Sequence, residues 1–145
     1  MKSSIAVLAG SLVLIGVARA QGAQAPSGAA RTVWDGVYSE AQAARGLTVY
    51  KDRCTMCHME ALDGGNVASA LVGDDFMGDW KNRTVGDLFR RTEANMPGDD
   101  PGSLMPRQVA DVLAYVFSKN NFPAGANDLP TDVDALKLIR IQPQK

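Results

Sequence analysis

The clearest helical pattern in the chain lies near its C-terminal third, where apolar residues recur at intervals of three and four. This spacing predicts a helix from Pro106 or Arg107 to Lys119, with one apolar face turned toward a core. The apolar positions of that face are Val109, Val112, Leu113, Val116 and Phe117.

A second apolar stripe predicts an earlier helix from about Glu40 to Arg53, with Ser39 as its N-cap. Its members are Ala43, Gly46, Leu47, Tyr50 and Cys54. A glycine inside a helix costs about 1 kcal/mol relative to alanine. We therefore expect another helix to cross closely at Gly46, although a simple defect would give the same sequence.

A third helix is indicated by its start and stop signals. Thr84 and Asp87 have the spacing of a capping box, which predicts a helix that continues to about Ala94 and ends at Met96-Pro97. No internal repeat and no strong strand pattern occurs in the sequence. The fold class that follows is all-α, a small domain with three main helices and long loops.

The first 20 residues have the organisation of a cleaved export signal. Lys2 supplies a positive charge, an apolar run follows from Ile5 to Val17, and Ala18-Arg19-Ala20 has the small-x-small pattern of a cleavage site. The run is shorter than the roughly 20 residues of a membrane-spanning helix. We therefore predict a Sec-type signal peptide at residues 1–20, a periplasmic location and no membrane span after cleavage.

The rest of the chain divides by composition. Residues 21–36 begin with a stretch of Ala, Gly, Gln, Ser and Pro in which apolar residues do not recur at regular intervals. This composition predicts a flexible leader. The predicted domain covers residues 37–123. Residues 124–145 contain Pro130 and Pro143 and several apolar side chains between them, so we expect this extension to pack on the domain.

Composition and charge exclude some functions. The formal net charge is −1, and removal of residues 1–20 leaves 13 basic and 16 acidic groups, a net charge of −3. A nucleic-acid site needs clustered Lys and Arg, so we predict no nucleic-acid partner. Only 6% of the residues are aromatic. The core is therefore short of bulky side chains, and another group is expected to fill it.

The sequence Cys54-Thr55-Met56-Cys57-His58 is a C-x-x-C-H motif. In c-type haem attachment, two thiols at this spacing add to the two vinyl groups of a haem while the adjoining imidazole meets the iron. The motif uses both cysteines and the only histidine of the chain. It predicts one covalently attached haem c, which would also supply the missing core volume.

Three other interpretations of the cysteines need weighing. A disulfide between Cys54 and Cys57 suits an exported chain. A redox-active pair of the thioredoxin type needs a preceding strand in a βαβ pattern, which the sequence lacks. A structural zinc site needs four N or S ligands, and only three are present.

A sixth iron ligand with a soft donor would come from a methionine. Met56 and Met59 flank His58 and cannot reach the opposite face, which leaves Met77, Met96 and Met105. Met96 lies in a proline-rich loop that is stiff enough to hold a side chain against a flat ring. Any of the three can instead be a core residue, because packing is the usual role of methionine.

Several further motifs resemble those of a bacterial class I c-type cytochrome, and most closely the monohaem cytochromes associated with quinoprotein alcohol dehydrogenases. The resemblance covers residues 37 to 141. Besides the C-x-x-C-H sequence, the motifs are Tyr50, Gly64-Gly65, Leu71-Val72-Gly73, Phe76, Trp80, Met96-Pro97, Pro101-Gly102-Ser103-Leu104, Asp111 to Tyr115 and Asn121 to Gly125.

The resemblance implies a cytochrome c fold in which the first and third helices cross around one covalently bound haem. It also implies roles for five residues: thioether bonds from Cys54 and Cys57, His58 as the proximal iron ligand, Met96 as the distal ligand, and Trp80 packed on the haem. A core aromatic is the equally ordinary interpretation of Trp80.

The chain departs from the family at two positions on the proximal side. Met59 stands where members commonly have glycine, and Ser69 where they commonly have proline. That proline's carbonyl usually accepts the imidazole N–H. Ser69 offers the same carbonyl on a less constrained backbone.

The function expected from these features is one-electron transfer rather than catalysis. A periplasmic dehydrogenase would be the electron donor and a terminal oxidase or another cytochrome the acceptor, with the protein a monomer or in transient complexes. Two alternatives remain: a cytochrome subunit fixed in a dehydrogenase complex, and a haem protein whose open iron site binds a small gas ligand.

Overall fold

A computed structural model describes residues 31–144 and contains six helices with very little sheet. The predicted all-α fold class is therefore confirmed. None of the helices in this part of the chain has the length and hydropathy of a membrane span. In chain order the elements are β1 (Arg31–Thr32), α1 (Glu40–Arg53), α2 (Thr55–His58), α3 (Gly73–Trp80), α4 (Val85–Asn95), α5 (Pro106–Lys119), α6 (Val133–Lys137) and β2 (Ile139–Arg140).

The three predicted helices correspond to α1, α4 and α5, and their caps form as the sequence indicates. The Ser39 side chain accepts a hydrogen bond from the Gln42 backbone N–H, which caps α1. Thr84 and Asp87 form both hydrogen bonds of a capping box at the start of α4. These bonds lower the pKa of Asp87, because they favour its charged carboxylate. Pro106 occupies the first position of α5. Proline has no backbone N–H, and at this position an N–H would have no partner within the helix.

The most extensive helix contact joins α1 and α5. Gly46 lies at the crossing, where a Cβ atom would stand only 1.8 Å from the carbonyl oxygen of Asp111. One turn away, the rings of Tyr50 and Tyr115 pack with their centroids 5.2 Å apart. The close crossing predicted from Gly46 is therefore present, and it is possible only because glycine has no side chain.

The N-terminal residues of the described chain correct the predicted leader boundary. Arg31 and Thr32 pair in parallel with Ile139 and Arg140. Val33 is fully buried, and the indole N–H of Trp34 donates to the backbone carbonyl of Gln142 at 2.8 Å. Residues 31–36 thus belong to the folded domain. The sequence prediction placed them in the leader because a partner segment 108 residues away in sequence cannot be detected from local composition. The predicted signal peptide and residues 21–30 lie outside the described residues.

The segment after residue 123 lies against the helices. Leu129, Leu136, Ile139 and Ile141 are buried in the core. The backbone of Ile141 exchanges hydrogen bonds with Asn82 and Arg83, each 2.9 Å long. The C-terminal segment therefore fixes the short connection between α3 and α4, which carries Arg83.

Three short helices were absent from the sequence prediction. Helix propensity gives little indication of α3, because four of its eight residues are poor helix formers: Asp74, Asp75, Gly78 and Asp79. The helices α2 and α6 have four and five residues. Helices this short are formed by their tertiary contacts rather than by local preference.

We predict that Gly46→Ala lowers the free energy of unfolding by about 2 kcal/mol, because the added methyl group forces α1 and α5 apart. Denaturant unfolding followed by far-ultraviolet circular dichroism measures the change. Gly78→Ala is the matched control in α3, where a Cβ atom meets nothing within 4 Å. It should raise stability by about 0.5–1 kcal/mol through helix propensity. Equal effects of the two substitutions would contradict the close crossing.

Candidate haem site

A cavity of about 630 Å³ opens between the helices. Apolar residues of its wall come from α3, α4, α5 and the segments directly before α3 and α5: Leu71, Phe76, Leu88, Leu104, Val112 and Val116. Cofactor sites in proteins typically measure about 300–1,000 Å³. The cavity is therefore large enough for a bound organic group, and it lies where the aromatic-poor core lacked side-chain volume.

Both cysteines border the cavity at the junction of α1 and α2. Cys54 ends the first helix and precedes the second, so Cys57 follows it by one helical turn and both thiols lie on the cavity side. Both are half-buried free thiols. Burial raises the pKa of Cys54 to about 11. A redox-active C-x-x-C pair needs a lowered thiol pKa, so this environment disfavours that alternative.

His58 is buried, and its ring also borders the cavity. Its Nδ1 lies 2.9 Å from the backbone carbonyl oxygen of Ser69. A carbonyl can only accept, so Nδ1 carries the proton and donates; in the neutral imidazole the lone pair then lies on Nε2. Within residues 31–144, Nε2 has no hydrogen-bond partner. The imidazole is thus oriented as a metal ligand requires, and Ser69 supplies the carbonyl that a proline supplies in related proteins.

The three candidate methionines occupy different environments. Met96 is half-buried and borders the cavity, at the C-terminal end of α4. Met77 packs against the hydrophobic core from α3, and it does not line the cavity. Met105 is 63% exposed. The structure therefore brings only Met96 of these three to the cavity that contains the two cysteines and His58.

Residues 41–116 match the family described as cytochrome c oxidase, cbb3-type, subunit III. The match covers just over half of the 145 residues. The chain belongs to this family of c-type cytochrome domains. The class I c-type cytochrome fold expected from the sequence is thereby confirmed. Comparison with curated proteins and with solved structures finds no match.

A cytochrome c domain implies covalently bound haem c, and the residues of the cavity fit this group. The cavity offers two thiols one helical turn apart, an imidazole with an unpaired nitrogen and an apolar interior. Among residues 31–144, no three His, Cys, Asp or Glu side chains are grouped as a metal site.

Trp80 of this cytochrome belongs to the wall of the same cavity. The residue is 8% exposed and borders the cavity. The guanidinium of Arg83 sits over the ring at 5.4 Å from the centroid, within the range of a cation–π contact. The tryptophan thus serves both as a core aromatic and as part of the cavity wall.

Sequence reasoning missed the charged residues at the cavity. Six charged side chains contribute to its lining: Asp52, Arg53, Asp79, Arg83, Arg91 and Asp99. The three basic and three acidic groups give no net charge. They come from five separate places in the sequence, so no local motif could have identified them. The one available signal is the position of Arg53, directly before the first cysteine of the motif.

Met59 has a backbone conformation that explains the glycine common in this family. Its φ and ψ angles are 61° and 166°. This region is essentially limited to glycine and costs other residues about 1–3 kcal/mol. The hydroxyl of Tyr50 donates to the Met59 carbonyl at 2.7 Å, which helps to hold the backbone in place.

We predict that Met59→Gly raises the free energy of unfolding of the haem-loaded protein by about 1 kcal/mol, because relief of backbone strain exceeds the added entropy of the unfolded chain. Denaturant unfolding checks this. The control is Met56→Gly, at a methionine that is 88% exposed and lies inside α2. There, glycine should lower stability by up to about 1 kcal/mol. A loss of stability in both variants would contradict the assignment of strain to Met59.

Proposed function

We propose that this cytochrome is an exported one-electron carrier with a closed iron site. In this proposal Cys54 and Cys57 form the thioether bonds to haem c, His58 is the proximal iron ligand and Met96 the distal one. The observation that carries the proposal is the common cavity of these four side chains. Trp80 would pack against the haem as part of the cavity wall.

Each residue has a distinct contribution. When bound, haem c supplies a couple between ferrous and ferric iron that transfers single electrons. The hydrogen bond from His58 Nδ1 to the Ser69 carbonyl fixes the imidazole tautomer and its orientation. The neutral thioether of Met96 favours the ferrous state relative to a second imidazole, and the apolar wall disfavours the extra charge of the ferric state. We therefore expect a positive reduction potential.

For partners, we propose a periplasmic dehydrogenase of the quinoprotein type as electron donor and a terminal oxidase or another cytochrome as acceptor. The donor is supported by the resemblance to cytochromes associated with quinoprotein alcohol dehydrogenases. The acceptor is supported by the family description, which names an oxidase. The balanced charges at the cavity suit a small and transient contact, since no strong field selects one partner. Export would depend on the predicted signal peptide at residues 1–20.

We predict that the purified ferric protein shows the weak near-infrared sulfur-to-iron charge-transfer band. Met96→Ala should abolish this band and open the iron to carbon monoxide in the reduced protein. Met105→Ala is the matched control, because Met105 is exposed and lies outside the cavity lining, and it should retain the band. Absence of the band from the wild-type protein would overturn Met96 as ligand and favour the open-site, gas-binding alternative.

A fixed subunit is the second candidate function. It is favoured by the family description, which names a subunit of an enzyme complex, and by the earlier expectation of a cytochrome bound to a dehydrogenase. Gentle purification from the native cells under low and high salt distinguishes the two functions. A free carrier should elute alone under both conditions. Recovery in a stable complex of constant stoichiometry would support the fixed subunit instead.

A further inference from the structure

Arg53 connects the two sides of the haem cavity. It is the last residue of α1, immediately before Cys54. Its guanidinium donates a hydrogen bond of 2.9 Å to the hydroxyl of Ser103 and lies 3.3 Å from the carboxylate of Asp100. Both acceptors belong to the loop of residues 97–103, which directly follows Met96. The cysteine motif and the methionine loop are thus joined by one side chain.

The loop has few other restraints. It folds back on Met96 through a hydrogen bond of 3.3 Å from the Gly102 N–H to the Met96 carbonyl. Residues 98–103 are all exposed. In the described part of the chain, Arg53 is the only residue outside the loop that makes side-chain hydrogen bonds to it. Pro97, at the start of the loop, and Leu104, directly after its end, are buried.

We propose that Arg53 is a positioning residue that holds the 97–103 loop and thereby keeps Met96 directed into the cavity. This inference rests on the proposed role of Met96 as distal ligand. Arg53 and Asp100 are 31% and 65% exposed in their side chains, so their ion pair is screened by solvent. Such a pair contributes little to global stability. Its effect is therefore expected on the methionine and not on the fold.

The test is a titration of the ferric, haem-loaded protein with imidazole, which competes with Met96 for the iron. Loss of the near-infrared band reports displacement. We expect Arg53→Gln to bind imidazole about fivefold more tightly than the wild type, with an unchanged unfolding midpoint. Arg53→Lys retains the charge and hydrogen-bond donors without the planar guanidinium, and it should restore part of the wild-type affinity.

The acceptors of the loop provide an independent test. Ser103→Ala with Asp100→Ala removes both acceptors of Arg53 at exposed positions and should reproduce the tighter imidazole binding. Adding Arg53→Gln to this double variant should change nothing more, because all three side chains act through one set of contacts. Arg90→Gln is the matched control, since Arg90 is an exposed arginine of α4 that does not line the cavity. It should leave imidazole affinity unchanged.

The outcomes separate this inference from the proposed function. A wild-type protein without the near-infrared band overturns both. A wild-type protein with the band, together with unchanged imidazole affinity in Arg53→Gln, overturns only the role of Arg53. An effect of Arg53→Gln that is absent from the acceptor variants also overturns it, because the arginine would then act on the cavity directly. Should Arg53→Gln fail to fold, the acceptor variants alone decide.

Discussion

The close crossing of α1 and α5 at Gly46 sets the positions of the other parts of the site. Because the two backbones touch there, the C-terminal turn of α1 delivers Tyr50, Arg53 and Cys54 to the cavity, while α5 supplies Val112 and Val116 to its wall. A side chain at residue 46 would separate these two surfaces. The distance between the helices therefore determines how the cysteine motif faces the apolar interior.

Two main-chain carbonyls hold the part of the site around His58. The Ser69 carbonyl orients His58, and the Met59 carbonyl accepts from the Tyr50 hydroxyl. Since both acceptors are backbone atoms, the site tolerates serine and methionine where related proteins commonly have proline and glycine. Backbone strain at Met59 is the consequence of keeping the same chain path with a different residue.

Loop residues form part of the cavity wall, and the C-terminal segment holds a connection next to it. β2 pairs with β1, and Ile141, directly after β2, exchanges backbone hydrogen bonds with Asn82 and Arg83, close in sequence to Trp80. Arg53 performs the corresponding role for the loop after Met96. In both places a segment with little regular structure is held by a few polar contacts to residues far away in sequence. These contacts lie close to the haem site.

The sequence by itself determined the three main helices, their caps and the haem-attachment motif. These features depend on neighbours within about one turn of helix, so apolar spacing, capping residues and the C-x-x-C-H motif report them directly. Gly46 also indicated a close crossing, because glycine makes a helix less stable than alanine does and a close contact with another helix compensates for that loss.

Only the tertiary structure decided which of Met77, Met96 and Met105 borders the cavity, since the three differ in three-dimensional position and hardly in local sequence. The same holds for the Arg53 contacts 47 and 50 residues away and for the pairing of residues 31–32 with the C-terminal strand. Such contacts form between segments that are distant along the chain, and they leave no periodic signal in either segment.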